Sequence, residues 1–512
     1  MQRNDQNKRG TNLRCIIIGA GMAGVLAAIR LKQRGNDNFV IYEKGDSIGG
    51  TWRENTYPGL SCDTPAHSYC YSFALNPDWS AYFAPGREIK AYFESVARRY
   101  GLYEHIVFGA EMASCTWSGN DWQVRTRDGR TDQGQVLVAA TGVLHHPLIP
   151  ELPGLRSFAR PWFHSAHWDH SVPLDGKRIG VIGSGSTGVQ LVSALARRAS
   201  RLVHFQRSPQ WIMPCPDITY TDEDKRRFGE DPARIQEVRD GPEAAARRAR
   251  FTSAIIDVDS PELAEIQQIV EKNLEESIKD PLLRDKLRPT YRAACKRLVF
   301  SARFYDAVQQ PAVYIEDTPI AGIEPTGVRM QNGEFHELDV LALATGFKVD
   351  QFTRPMKVYG QAGIDLDALW AARPRAYYAV TVPGFPNMCL LNGPTGPVGN
   401  FSLVDIAEHQ WNYFDQLLDL LRDGECCGFA PTMAALEDYE ARREIAAKRT
   451  VFASGCRSWY LDDRGIPQVW PWSWQHFVDV MSLPQLGDYD LVSPSTPSCG
   501  RSGQADHTGS IT

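Results

Sequence analysis

The 512-residue sequence is poor in cysteine, and the little it has follows no familiar pattern. There are eleven cysteines, an odd number, with no C-x-x-C or C-x4-C pair among them. That excludes a zinc ribbon and a thioredoxin-type dithiol written as a local motif, and it makes a reducing compartment, the cytoplasm, the expected location. Long apolar runs are also missing. The longest, Cys15–Ile29, falls short of the roughly 20 residues that a membrane-spanning helix needs, and glycines interrupt it. The first residues, MQRNDQNKRGTNLR, are polar and lack the apolar core of a signal peptide. Charge of either sign is nearly balanced, 55 basic residues against 61 acidic for a net −6. This gives no general attraction to nucleic acid or to an anionic membrane. With 43% hydrophobic and 23% charged residues, the composition is that of a soluble globular chain. Its length suits about three domains of about 150 residues each.

What the sequence does contain is two copies of one pattern. The first reads RCIIIGAGMAGVLAAIRLKQRGNDNFVIYEK. A β run, Cys15–Ile18, enters Gly19-x-Gly21-x-x-Gly24, a helix follows, and a second β run, Phe39–Tyr42, ends in Glu43. Gly19 permits the tight turn, Gly21 lets the backbone approach a pyrophosphate, and Gly24 lets the helix pack on the strand. The helix N-terminus faces the phosphates, and Glu43 suits ribose hydroxyls. The second copy, KRIGVIGSGSTGVQLVSALARRASRLVHFQRSPQW, carries Gly183-x-Gly185-x-x-Gly188 with Ser186 and Thr187 inside it. Its second strand ends in Arg207-Ser208, with no acidic residue. A carboxylate there would repel a 2′-phosphate, whereas Arg207 would pair with one. The first site is therefore expected to take FAD or NAD, and the second NADP.

Two further buried-strand patterns, VLVAATG at Val136–Gly142 and VLALATG at Val340–Gly346, read as strands that return the chain between units. The expected fold class is α/β, with two Rossmann-like dinucleotide-binding domains and the second inserted in the first. The expected division is residues 1–148 for the first FAD segment, 149–348 for the NADP domain, 349–492 for the second FAD segment, and 493–512 as a disordered tail. Residues 221–290 read as a helical insertion in the NADP domain, their charges mostly on solvated faces.

FAD and NADPH on one chain imply hydride transfer to flavin, and without a redox dithiol oxygen becomes the expected acceptor. Here the sequence resembles the type I Baeyer–Villiger monooxygenases, a family of class B flavoprotein monooxygenases. Their fingerprint, F-x-G-x-x-x-H-x-x-x-W-[PD], corresponds to Phe158 through Asp169, with His164, Trp168 and Asp169 matched and Arg160 standing where the family has glycine. A second family pattern is intact from Gly49-Gly50-Thr51-Trp52 through Tyr57-Pro58-Gly59 to Asp63. The resemblance implies that Thr51, Trp52, Asp63 and Tyr69 line the flavin. It also implies that Lys296-Arg297-Leu298 is the element supplying a 2′-phosphate ligand, Lys296, and the catalytic Arg297, oriented by Asp63. Ser458-Trp459-Tyr460 is similar to a mobile loop whose Trp459 reaches NADP. The implied activity is conversion of a ketone (cyclic, aryl or long-chain) to an ester or lactone, through a flavin C4a-peroxide and a Criegee adduct. Small ketones and O2 are the implied partners, with neither nucleic acid nor membrane insertion.

Alternatives stay open at this point: oxygenation of nitrogen or sulfur, an uncoupled NADPH oxidase, or a flavin-binding sensor. Nothing in the sequence itself brings Asp63 to Arg297, and their contact is implied by resemblance alone. No metal is expected. His164, His167 and His170 recur at spacing three, but no carboxylate or thiol completes a site. The tryptophans at 459, 470, 472 and 474 read as core or pocket wall, and Cys426-Cys427 as an ordinary pair.

Overall fold

The computed structural model describes residues 12–399 and 401–493. The expected disordered tail, from residue 494 on, lies outside the described residues. Both glycine-containing patterns open on strands that are apolar and buried at nearly every position, as strands covered on both faces must be. Each unit builds a five-stranded parallel sheet. In the first sheet the order is Met388–Leu390, Val136–Ala139, Cys15–Ile18, Phe39–Tyr42, Ile106–Val107. In the second it is Val313–Glu316, Arg201–Phe205, Arg178–Ile182, Val340–Leu343, Trp162–His164. The strand Met388–Leu390 comes from beyond the second sheet in sequence, so chain from both sides of that sheet completes the first one. The fold is α/β with two dinucleotide-type sheets, as expected.

The chain crosses between the units twice, and the two crossings run side by side. Pro147 and Phe347 form an antiparallel bridge. Leu148 N donates to Gly346 O at 2.8 Å and Lys348 N to His146 O at 2.9 Å, while Thr345 Oγ1 donates to Leu148 O at 2.6 Å. A four-stranded sheet, Lys357–Tyr359 with Met112–Trp117, Trp122–Thr126 and Thr131–Gly134, covers the first unit; the sequence reading did not anticipate it.

The 221–290 segment forms five helices, Asp222–Glu230, Pro232–Asp240, Pro242–Ile256, Pro261–Ser277 and Pro281–Leu287. Four of them begin with proline at the first helical position, where the missing N–H costs no hydrogen bond. Most of their charges face solvent; Arg239 is an exception. Arg239 is only 3% exposed. It donates to Cys70 O and pairs with Asp405, a residue of the helix Leu403–Arg422 that packs on the first sheet unit. A buried guanidinium persists only when paired, so this insertion is bound to both units. Among the described residues no helix is long and apolar enough to cross a membrane.

Candidate active site

Both glycine turns open onto one cavity of about 1600 Å³, which follows the C-terminal ends of the strands in the two sheets. Gly19 and Gly183 take φ values of +101° and +117°, the left-handed region that side chains disfavour. A Cβ at Gly24 or Gly188 would come within 1.9 Å of the carbonyl oxygen that opens its own turn. These two residues therefore set the helix against the strand and do not face the cavity. Gly21 and Gly185 do face it. The nearest atom to a Cβ at Gly21 is 3.7 Å away, and at Gly185 nothing lies within 4 Å. No side chain caps either following helix, Met22–Gln33 or Ser186–Leu195. The first-turn N–H groups of both are thus left to a ligand, and a pyrophosphate suits them.

The two cradles differ in charge. Glu43 is buried and accepts hydrogen bonds from Ala20 N, Gly45 N and Arg53 Nη1, each at 2.7 Å. A carboxylate offers about four lone-pair sites, so a ribose hydroxyl would share what remains. In the second cradle, Lys296 Nζ donates to Ser208 Oγ at 2.8 Å and lies 4.3 Å from the centre of the Tyr291 ring. Burial and then the charge of Arg207 hold the Lys296 pKa below its ordinary value. Among the described residues no carboxylate shifts this ammonium. Two neighbouring cations without a counterion form a receptor for a dianion.

Between the cradles, Thr51 and Trp52 open the short helix Thr51–Glu54 on the cavity wall, and Trp52 Nε1 donates to Tyr69 Oη at 3.3 Å. Asp63 and Arg297, 234 positions apart, meet in a two-point pair: Nε donates to Oδ2 at 2.9 Å and Nη2 to Oδ1. Arg297 Nη1 donates to the carbonyl of Gly399. A guanidinium has five N–H donors, so these contacts leave two. Burial pulls the Arg297 pKa down and the Asp63 charge more than offsets it, leaving the group above its ordinary value. It carries a fixed positive charge at any working pH. Tyr460 is buried beside it, its hydroxyl pushed up to about 12 chiefly by burial. Trp459, next to it, stays 49% exposed at the cavity.

The segment that carries the fingerprint is part of the second sheet. His164 ends the strand Trp162–His164; its Nδ1 accepts from Ala166 N at 3.1 Å, so its Nε2 donates to Gly346 O at 3.0 Å. This bond ties the fingerprint to the second crossing. Burial lowers the His164 pKa to about 4. Arg160 is exposed and its φ is not left-handed, so the backbone at this position does not require glycine. The three histidines do not converge: His170 Nε2 meets Thr56 Oγ1 at 2.8 Å, while His164 faces Gly346.

Several contributors were not found from sequence. The Gly399 carbonyl has no side-chain signature. Gln190 accepts from Tyr57 Oη at 2.8 Å and donates to Ser61 O at 3.0 Å, joining the helix Ser186–Leu195 to the loop that leads to Asp63. Cys295 and Cys456 are joined in a disulfide, which no spacing in the sequence suggested.

Comparison with known proteins follows the same lines. Residues 12–220 match the model of a family described as flavin-binding monooxygenase-like. A protein of Mycobacterium tuberculosis described as an uncharacterized monooxygenase is 42% identical over 93% of this chain and 95% of its own. A Baeyer–Villiger monooxygenase of Streptomyces coelicolor is 35% identical over 98% of this chain and 97% of its own. Among solved structures, cyclohexanone monooxygenase from Rhodococcus sp. Phi1 bound to NADP+ superposes with a TM-score of 0.83, at 28% identity, covering 94% of this chain and 99% of that one.

Proposed function

Because the chain belongs to the Baeyer–Villiger monooxygenases of the flavin-binding monooxygenase-like family, we propose that it uses FAD and NADPH to insert one oxygen atom of O2 beside the carbonyl of a ketone. Ketone, O2, NADPH and a proton give an ester or lactone, NADP+ and water. Bound FAD supplies hydride acceptance from NADPH and the activation of O2. The first unit, 1–148 with 349–492, holds the flavin, and 149–348 holds NADP. Gly19 and Gly21, with the helix N-terminus behind them, receive the flavin pyrophosphate, while Glu43 braces the turn and takes a ribose hydroxyl. Thr51, Trp52 and Tyr69 form the wall along the ring system. Gly183, Gly185, Ser186 and Thr187 receive the second pyrophosphate. Arg207, Ser208 and Lys296 take the 2′-phosphate and so select NADPH over NADH.

One observation carries the chemistry: the Asp63–Arg297 pair on the cavity wall shared by both cradles. Asp63 fixes the guanidinium plane by two parallel bonds. The two N–H groups left on Arg297 can meet negative charge as it builds on the substrate's carbonyl oxygen. In a site closed to water, such a donor contributes on the order of 3–4 kcal/mol to the transition state. Arg297 binds and orients but takes no proton, since it cannot release its own. Trp459, at the mouth, covers bound NADP. The use of NADPH supports a cytoplasmic setting. Mass spectrometry of products from a ketone panel, with FAD, NADPH and 18O2, tests the reading. Esters or lactones carrying one 18O are expected. NADPH oxidation without labelled product from any ketone would overturn it.

A further inference from the structure

The disulfide between Cys295 and Cys456 spans 161 residues and joins two segments that the proposed site needs. Cys295 directly precedes Lys296 and Arg297. Cys456 directly precedes the stretch Arg457–Tyr460, which lines the cavity and places Tyr460 beside Arg297. Both sulfurs are buried; Cys295 is 0% and Cys456 5% exposed. Cys295 N donates to Arg292 O at 3.2 Å, whereas the backbone just after Cys456 donates few bonds of its own. Among the described residues, no backbone N–H from Gly455 to Trp459 donates to another backbone group. Tyr460 is the next anchor, through its ring contact with Phe452 at 4.7 Å and the bond from Gln468 N to its carbonyl. On the other side, Ala294 takes a left-handed φ of +63° immediately before Cys295. The sulfur bond thus fixes the base of the loop to the element that carries both the phosphate ligand and the catalytic arginine.

We propose that Cys295 and Cys456 are a redox-modification site that sets how tightly the Trp459 loop closes over bound NADP, an inference that rests on the functional reading above. With the bond formed, Trp459 and Tyr460 are held over the nucleotide and Arg297. With two thiols, the loop opens more often, NADP+ leaves sooner, and more NADPH is spent reducing O2 to hydrogen peroxide without a ketone product. The oxidant is a hydroperoxide, of which hydrogen peroxide is the one this chemistry releases when NADPH is consumed without a ketone. One thiolate attacks the peroxide, taking one oxygen as a sulfenic acid and releasing water. The second thiol displaces that oxygen as a second water, so two thiols lose two electrons and two protons in all. A dithiol reductant returns both hydrogens and leaves as its own disulfide. Because the sulfurs are buried, either exchange takes place when the loop is open. Peroxide lost by an open loop would therefore close it.

The test uses FAD-loaded full-length protein treated with hydrogen peroxide or with dithiothreitol, then freed of reagent. Peptide mass spectrometry is expected to find Cys295 linked to Cys456 only in the first sample, with two fewer alkylatable thiols than in the second. NADP+ is expected to bind the reduced sample roughly fivefold or more weakly, the low end of ordinary coupling between sites. Hydrogen peroxide formed per NADPH is expected to rise in parallel. Cys456→Ser is expected to match reduced wild type in both treatments, and flavin content with a thermal melt reports whether that variant folds. If it does not, the wild-type comparison still decides. Equal NADP+ affinity and equal peroxide yield in the two samples would overturn the proposal, as would absence of the linked peptide after peroxide. NADP+ binding and thiol counts require no ketone. A failure of ketone turnover with an intact redox response would therefore count against the functional reading alone.

Discussion

The two nucleotide units share a backbone plan and differ in what surrounds it. Each has a left-handed glycine, a glycine that sets helix against strand, and a glycine open to the cavity, at equivalent points of a parallel sheet. In the first unit the charged residue at the end of the second strand, Glu43, is buried and already engaged by Ala20, Gly45 and Arg53. In the second, the charge of Arg207 acts on Lys296, and among the described residues no carboxylate shifts the lysine. Backbone shape provides for a dinucleotide in both. Side-chain charge differs: Glu43 is engaged by three donors in the first, whereas Lys296 and Arg207 are like charges in the second.

The most severe way to break this comparison is to fill the open glycine in each unit. Gly21→Val and Gly185→Val place a side chain where the fold has room and a pyrophosphate would have none. Gly21→Val is expected to yield folded protein without a flavin spectrum. Gly185→Val is expected to keep the flavin while losing NADP+ affinity by roughly a hundredfold or more, about 2.8 kcal/mol. Next in size is the residue pair to which each unit contributes one member. Arg297→Ala is expected to lower kcat for ketone oxygenation by about 10²–10³ with the flavin spectrum intact, read by steady-state product formation.

Reversing the charge contrast should act on cofactor choice. Arg207→Glu is expected to raise KM for NADPH by about 10- to 100-fold, the loss of one or two charge-assisted hydrogen bonds, and to narrow the gap to NADH. Parallel kinetics with both nucleotides measure this. The smallest effect is one of pH. In the second unit, His204 donates from Nε2 to Gly183 O at 2.9 Å, and its buried Nδ1 has no partner. Burial lowers its pKa from 6.5 to about 4. The unfolded chain binds this proton more readily, so stability from the neutral form is complete above pH 6.5 and lost as pH falls toward 4. Thermal melts are expected to drop by several degrees between pH 7 and pH 5, and His204→Gln to show a shallower decline.

What could be read from the sequence follows physical range. Glycine spacing, apolar strand runs and the charged, alternating blocks of residues 221–290 are local signals, so both glycine turns and the inserted helices were legible. The contact of Asp63 with Arg297 came only from resemblance, because no local pattern encodes a meeting across 234 residues. Arg239 looked like any other surface charge in a charged segment, yet the helix Leu403–Arg422 brings Asp405 over it. The same holds for Cys295 and Cys456, whose approach depends on how the loop after the helix Met433–Ala447 folds back on the second unit. The sheet that includes Met112–Trp117 was missed although its strand Trp122–Thr126 alternates apolar and polar residues, a local signal.

The two chain crossings between the units have a mechanical consequence. A single linker would let the units twist, slide and swing. Two strands pinned together by the Pro147–Phe347 bridge, and fastened to the second sheet through His164, behave as a door hinge with two leaves. Twisting would shear the bonds between the strands, and sliding would stretch them, whereas swinging about the seam strains neither. A swing of one unit relative to the other therefore turns about that seam, and it must carry or part the Asp63–Arg297 and Arg239–Asp405 pairs that also join them.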